Sequence, residues 1–111
     1  MARIECSVWN NGGAAWGLKV LGGLRVRKLY FHPARSPVFL ELGGALSPIN
    51  VKKKSFWTED CGELISVELR EWIMKKGLAT GDRVWLEIVE PYHRFKAVVV
   101  QVALPVNEIA S

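Results

Sequence analysis

Cysteine is scarce: Cys6 and Cys61 are the only two in 111 residues. Two thiols cannot build the disulfide framework of a small secreted domain, and no CxxC or HxxxH spacing offers a zinc site. Long apolar runs are missing too; none approaches the ~18–20 residues a bilayer span requires. The opening Met1-Ala2-Arg3-Ile4-Glu5 reaches an acid before any apolar stretch, so no secretory signal is expected. The expectation is a cytoplasmic protein with no membrane partner. No GxGxxG is present, and no GK[ST] follows a glycine pair, so a phosphate-cradling loop is not expected.

Acid is the most informative shortage. Between Lys19 and Lys54 there is one carboxylate, Glu41, against eight bases: Lys19, Arg25, Arg27, Lys28, Arg35, Lys52, Lys53 and Lys54. From Glu59 to Glu90 the balance reverses, with eight acids against four bases. The net charge of +4 therefore conceals a far more basic first half. Such asymmetry speaks to partners rather than to fold, and its natural partner is a polyanion.

What is present in quantity is apolar residues, at 50%, enough for one folded core at this length. Period-two alternation dominates. Residues 3–9 place Ile4, Cys6 and Val8 on one face. Asn10-Asn11-Gly12-Gly13 turns the chain, and 14–21 follows as a strand bent at Gly17. Residues 24–31 alternate Leu24 and Val26 with Arg25 and Arg27, which reads as a third strand with both arginines on one face. His32 to Pro37 is a loop, 38–42 a central strand, 43–48 a loop and 49–57 a strand. A short strand is expected in 63–66.

The period then changes. Ser66 suits an N-cap, Glu68 the first turn, and Leu69, Trp72 and Ile73 fall at helical spacing before Gly77. One amphipathic helix near residues 67–76 is predicted, capping an open barrel end. Strands over 83–90 and 95–104 follow. The fold expected is mainly β: a small barrel or pseudobarrel of six to eight short strands with one helix. A single domain over 1–105 and a loose tail over 106–111 complete it.

The unit formed by residues 64–73 and 76–88, with Lys76-Gly77-Leu78-Ala79-Thr80-Gly81-Asp82-Arg83-Val84 between helix and strand, resembles that of two DNA-binding groups. These are the AbrB/MazE-like regulators and antitoxins, and the B3-type pseudobarrels of plant transcription factors and restriction-enzyme recognition domains. The resemblance covers about a quarter of the chain and implies a DNA-binding pseudobarrel. The DNA of B3-like proteins lies against loops and strands outside this unit, so it assigns no contact residue. Locally, Leu78 is expected to plug the barrel end, Gly81 to allow a tight turn and Asp82 to accept backbone N–H groups.

The function expected is non-catalytic nucleic-acid binding, with DNA as the expected partner, through a basic face over residues 19–54. Lys19, Arg25, Arg27, Lys28, Lys52, Lys53 and Lys54 would hold phosphates, and Asn10 and Asn11 with the arginines would reach base edges. Tyr30, Phe31, Phe56 and Trp57 lie among these cations and would stack on bases where exposed. Cys6 is expected to be a buried apolar residue, and Cys61, beside Glu59, Asp60 and Glu63, a poor nucleophile. No catalytic residue, metal site or cofactor is expected. Five tryptophans, Trp9, Trp16, Trp57, Trp72 and Trp85, exceed what one small core absorbs. They suggest a homodimer interface. The alternative function is an accessory or inhibitor subunit docking a protein through that surface.

Overall fold

The computed structural model describes residues 3–10, 13, 15–58 and 62–100. Seven strands form one curled sheet, a half-barrel, with two helices. The strands are β1 (Arg3–Asn10), β2 (Trp16–Val20), β3 (Val38–Leu42), β4 (Ala45–Ile49), β5 (Glu63–Leu64), β6 (Arg83–Glu90) and β7 (Arg94–Val99). Their order across the sheet is β4-β3-β7-β6-β1-β2-β5. All pairings are antiparallel except β3 with β7. The mainly β expectation therefore holds, and the proposed tail over 106–111 lies outside the described residues.

Alternation sets the two faces of the sheet. Ile4, Cys6 and Val8 of β1, Val84 and Leu86 of β6, and Phe95 and Ala97 of β7 are all buried on the concave side. Leu18, Val20, Val38, Leu40 and Ile49 extend this core across the remaining strands. Helix α2 (Val67–Lys75) contacts both β2 and β3, which three intervening strands separate in the sheet. It thus spans the hollow of the curl. Leu69, Trp72 and Ile73 are its buried stripe, each contributing about 1.5–3 kcal/mol by leaving water. The Ser66 Oγ accepts from Leu69 N at 3.0 Å, and Gly77 takes φ +68° to stop the helix. Both agree with expectation.

The GLxxGD turn works locally as its residue types suggested. The Asp82 carboxylate accepts from Ala79 N at 2.8 Å. Gly81, at φ +97°, donates to Val8 O, while Val8 donates back to Asp82 O, each at 2.8 Å. Leu78 packs half-buried on the core.

Three elements differ in kind from the sequence reading, and a fourth in its place in the sheet. The strand over 24–31 is a helix, α1 (Gly23–Tyr30), so there are two helices rather than one. Its inner residues Arg27, Tyr30 and Phe31 follow a helical period, and the Leu24/Val26 alternation is a short coincidence. The loop over 43–48 is instead a hairpin. Gly43 and Gly44 take φ +62° and +100° between Leu42 and its partner Ala45, the backbone a two-residue turn demands. Pro48 fits because β4 is an edge strand. The long strand over 49–57 ends at Ile49, and Lys54–Trp57 forms a 3-10 turn. β3, expected to be central, is second from the edge.

Candidate nucleic-acid interface

The end of the molecule built by α1, the 3-10 turn Pro33–Arg35 and the 50–58 segment carries most of the predicted site. It is organised around a buried cation. Arg27 is fully buried, and its guanidinium donates to Phe56 O and to Thr58 O, the latter at 2.7 Å. A buried charge needs such partners, since its desolvation is otherwise uncompensated. The Arg27 side chain runs against Gly62, where a Cβ would lie 2.8 Å from its Cδ and Nε. Phe31, four residues on, meets Phe56 edge-to-face at 5.3 Å and Phe95 at 5.0 Å. Arg27 and Phe31 thus anchor the inner face of α1.

The outer face carries Arg25 and Lys28, both exposed, three positions apart. Exposed His32 follows four positions later. The two arginines expected to share a face therefore point opposite ways, because the element is a helix. Arg27 is a structural cation, withdrawn from any surface ligand.

The 50–58 segment is held by its own polar groups. The Asn50 Oδ1 accepts from Lys52 N at 2.8 Å and from Ser36 Oγ at 3.2 Å. Ser36 Oγ in turn accepts from Val51 N at 3.0 Å. This tie joins Ser36, which follows the Pro33–Arg35 turn, to the backbone that leads into the lysine triplet. Trp57 Nε1 donates to Val51 O at 2.7 Å and closes the segment on itself. Lys52 and Lys54 are exposed and Lys53 is half-buried. Phe31 and Phe56 are in the core, and Tyr30 and Trp57 are half-buried against it, so none of these four is a free stacking platform.

Two predicted residues lie elsewhere. Lys19 sits on the outer face of β2, opposite Ser7 and Glu63. Asn10 uses its Nδ2 to donate to Gly13 O and Ala15 O, each at 2.9 Å, closing the β1–β2 turn. Asn11 lies outside the described residues. Sequence reasoning left Arg35, His32 and Tyr92 out of the site. The available signal was the spacing Arg25, Lys28, His32, which falls on one face once a helix is assumed.

The convex face of the sheet has a different electrostatic arrangement. Arg3 pairs with Glu87, Glu87 with Lys96, and Lys96 with Glu41, a ladder of alternating charge across four strands. Arg94 Nε lies 3.4 Å from Glu41 Oε2. The Arg3 guanidinium also covers the Trp85 ring at 3.5 Å. Glu41, the lone acid of the basic half, is thus engaged on this face.

Trp72 is buried, and Trp9, Trp16, Trp57 and Trp85 are half-buried. None is among the exposed large apolar side chains of the described residues. Cys6 is buried, and burial followed by the nearby Glu5 charge pushes its thiol far above the usual range. That makes it inert as a nucleophile, as expected. Glu59, Asp60 and Cys61 lie outside the described residues. Among the described residues, no three His, Cys, Asp or Glu side chains gather to hold a metal ion, and no helix is long and apolar enough to cross a membrane.

No family model, curated protein or solved structure matches this chain.

Proposed function

We propose that the protein binds nucleic acid, DNA in preference, through the α1 end of the fold and without catalysing a reaction. One observation carries this reading. Arg25, Lys28, Arg35, Lys52 and Lys54 are exposed on elements that contain no acid, and Glu41, the one carboxylate between Lys19 and Lys54, is held on the convex face by Arg94. Flexible cations so arranged can neutralise successive phosphates and release their counterions. Arg25 and Arg35 can add two-pronged contacts to phosphate or guanine. The resemblance of residues 64–73 and 76–88 to the B3-type and AbrB/MazE-like unit favours DNA as the polyanion.

The test is a salt series on duplex DNA by fluorescence anisotropy. Replacing Arg25, Lys28, Lys52 and Lys54 with glutamine should weaken binding and flatten log K against log salt by about 0.9 per lost phosphate contact. Lys96→Gln, on the convex face, should leave the slope where it was. An unchanged slope in the fourfold variant removes the α1 end as the interface.

A further inference from the structure

Beside Lys28, the α1 end opens into a cavity of about 330 Å³ lined by Lys28, His32, Ala34, Arg35 and Tyr92. That volume falls at the lower end of what small-ligand sites occupy. Its lining joins three nitrogen-bearing side chains to one aromatic ring and includes no carboxylate. Three features show how the lining is arranged. First, His32 Nδ1 accepts from Ala34 N at 3.0 Å. The neutral ring therefore carries its hydrogen on Nε2, leaving that N–H as a donor toward a ligand. Second, the same contact caps the Pro33–Arg35 turn and so fixes Arg35 relative to His32. Third, Tyr92 stands at φ +63°, the one non-glycine residue with positive φ among those described. That backbone belongs to the tight β6–β7 turn, which carries Tyr92 to the cavity.

We infer that this cavity is a site for a nucleoside phosphomonoester, with the phosphate between Lys28, His32 and Arg35 and the base against Tyr92. This deepens the nucleic-acid reading and rests on it for one of two sources of the ligand. A phosphomonoester offers three free oxygens, whereas the phosphodiester inside a strand offers two. Three donors of different type line the cavity and match the former: a guanidinium fork, a compact ammonium and a single ring N–H. A tyrosine face accepts any base, which suits recognition of an end rather than of a sequence. The ligand can be the phosphorylated end of a strand or a free nucleotide, and the chemistry is shared.

The experiment compares a short oligonucleotide bearing a 5′-phosphate, the same oligonucleotide with a 3′-phosphate, and one with hydroxyl ends. Each is titrated against the full chain by anisotropy, with adenosine monophosphate as a separate probe by calorimetry. One phosphorylated end should bind about tenfold tighter than the hydroxyl-ended strand, the increment expected of a charge-assisted hydrogen bond. Adenosine monophosphate should compete for that increment. His32→Asn keeps an acceptor for Ala34 N but removes the distal ring donor. It should bring the ratio of affinities for phosphorylated and hydroxyl ends toward one, whatever it does to either affinity alone. Saturable binding of adenosine monophosphate with no oligonucleotide binding would keep the cavity's chemistry, assign it to a free nucleotide and overturn the nucleic-acid function. Equal affinity for all three strands, still steeply dependent on salt, would overturn the cavity assignment and leave the basic end standing as a polyanion surface. An end preference retained in His32→Asn would likewise overturn it.

Discussion

The convex face of the sheet and the α1 end are both rich in charge, yet they treat it in opposite ways. On the sheet, register places each base opposite an acid, from Arg3 through Glu87 and Lys96 to Glu41. At the α1 end, one cation is buried on backbone carbonyls and the others stand without acids on their own elements. Cross-strand pairs of this kind stabilise by a few tenths of a kcal/mol to about 1 kcal/mol and leave little field for a ligand. Like charges on elements that carry no acid repel one another and gain from an anion. Net charge alone therefore says less about a partner than which charges the strands bring opposite one another.

The sharpest way to break this contrast is through Arg27. Arg27→Ala would strand the Phe56 and Thr58 carbonyls and empty a buried volume, and should lower stability by about 3–5 kcal/mol in denaturant unfolding. If the loss is below about 1 kcal/mol, Arg27 is not the anchor of this end. Gly62→Ala should come next. It imposes a side chain at φ +95° and drives a Cβ into the Arg27 side chain. A loss of about 2 kcal/mol or more is expected, read as a shift in the urea midpoint. Combining it with Arg27→Ala should cost less than the sum, because the clash disappears with the arginine. The smallest effect belongs to the ladder. Lys96→Ala should cost less than about 1 kcal/mol, and the cost should shrink at high salt. A larger, salt-insensitive loss would mean that the ladder holds the sheet together.

How much of this was legible in the sequence follows from how many independent signals each element carries. α2 has a cap at Ser66, a stop at Gly77 and three buried residues at helical spacing, all pointing one way. β1 alternates from Arg3 to Val8, and β6 from Arg83 to Leu86 before its register shifts past Ile88. α1 also has eight residues, but Leu24, Arg25, Val26 and Arg27 satisfy both periods. Its deciding residue is an arginine whose acceptors lie some thirty positions along the chain, which no local pattern contains. A strand period puts Arg25 beside Arg27 and leaves His32 apart, whereas the helix puts Arg25 and Lys28 on the outer face and Arg27 inside. Asn10 has the residue type of a base contact, yet short-range turn hydrogen bonds take up its amide. The cavity was beyond reach because Tyr92 comes to it from the β6–β7 turn, some sixty residues after Lys28.

The place of β1 in the sheet has a consequence for biosynthesis. β1 lies between β2 and β6, with Ile4 opposite Leu86 and Val8 stitched to the turn at Gly81 and Asp82. A nascent chain leaving the ribosome can form its first hairpin early, but that hairpin keeps one bare edge until residues beyond 80 emerge. Closing so long a loop is slow. The exposed edge is therefore a window for chaperone capture or misassembly, and the basic end gains its full scaffold only once β6 and β7 have been translated.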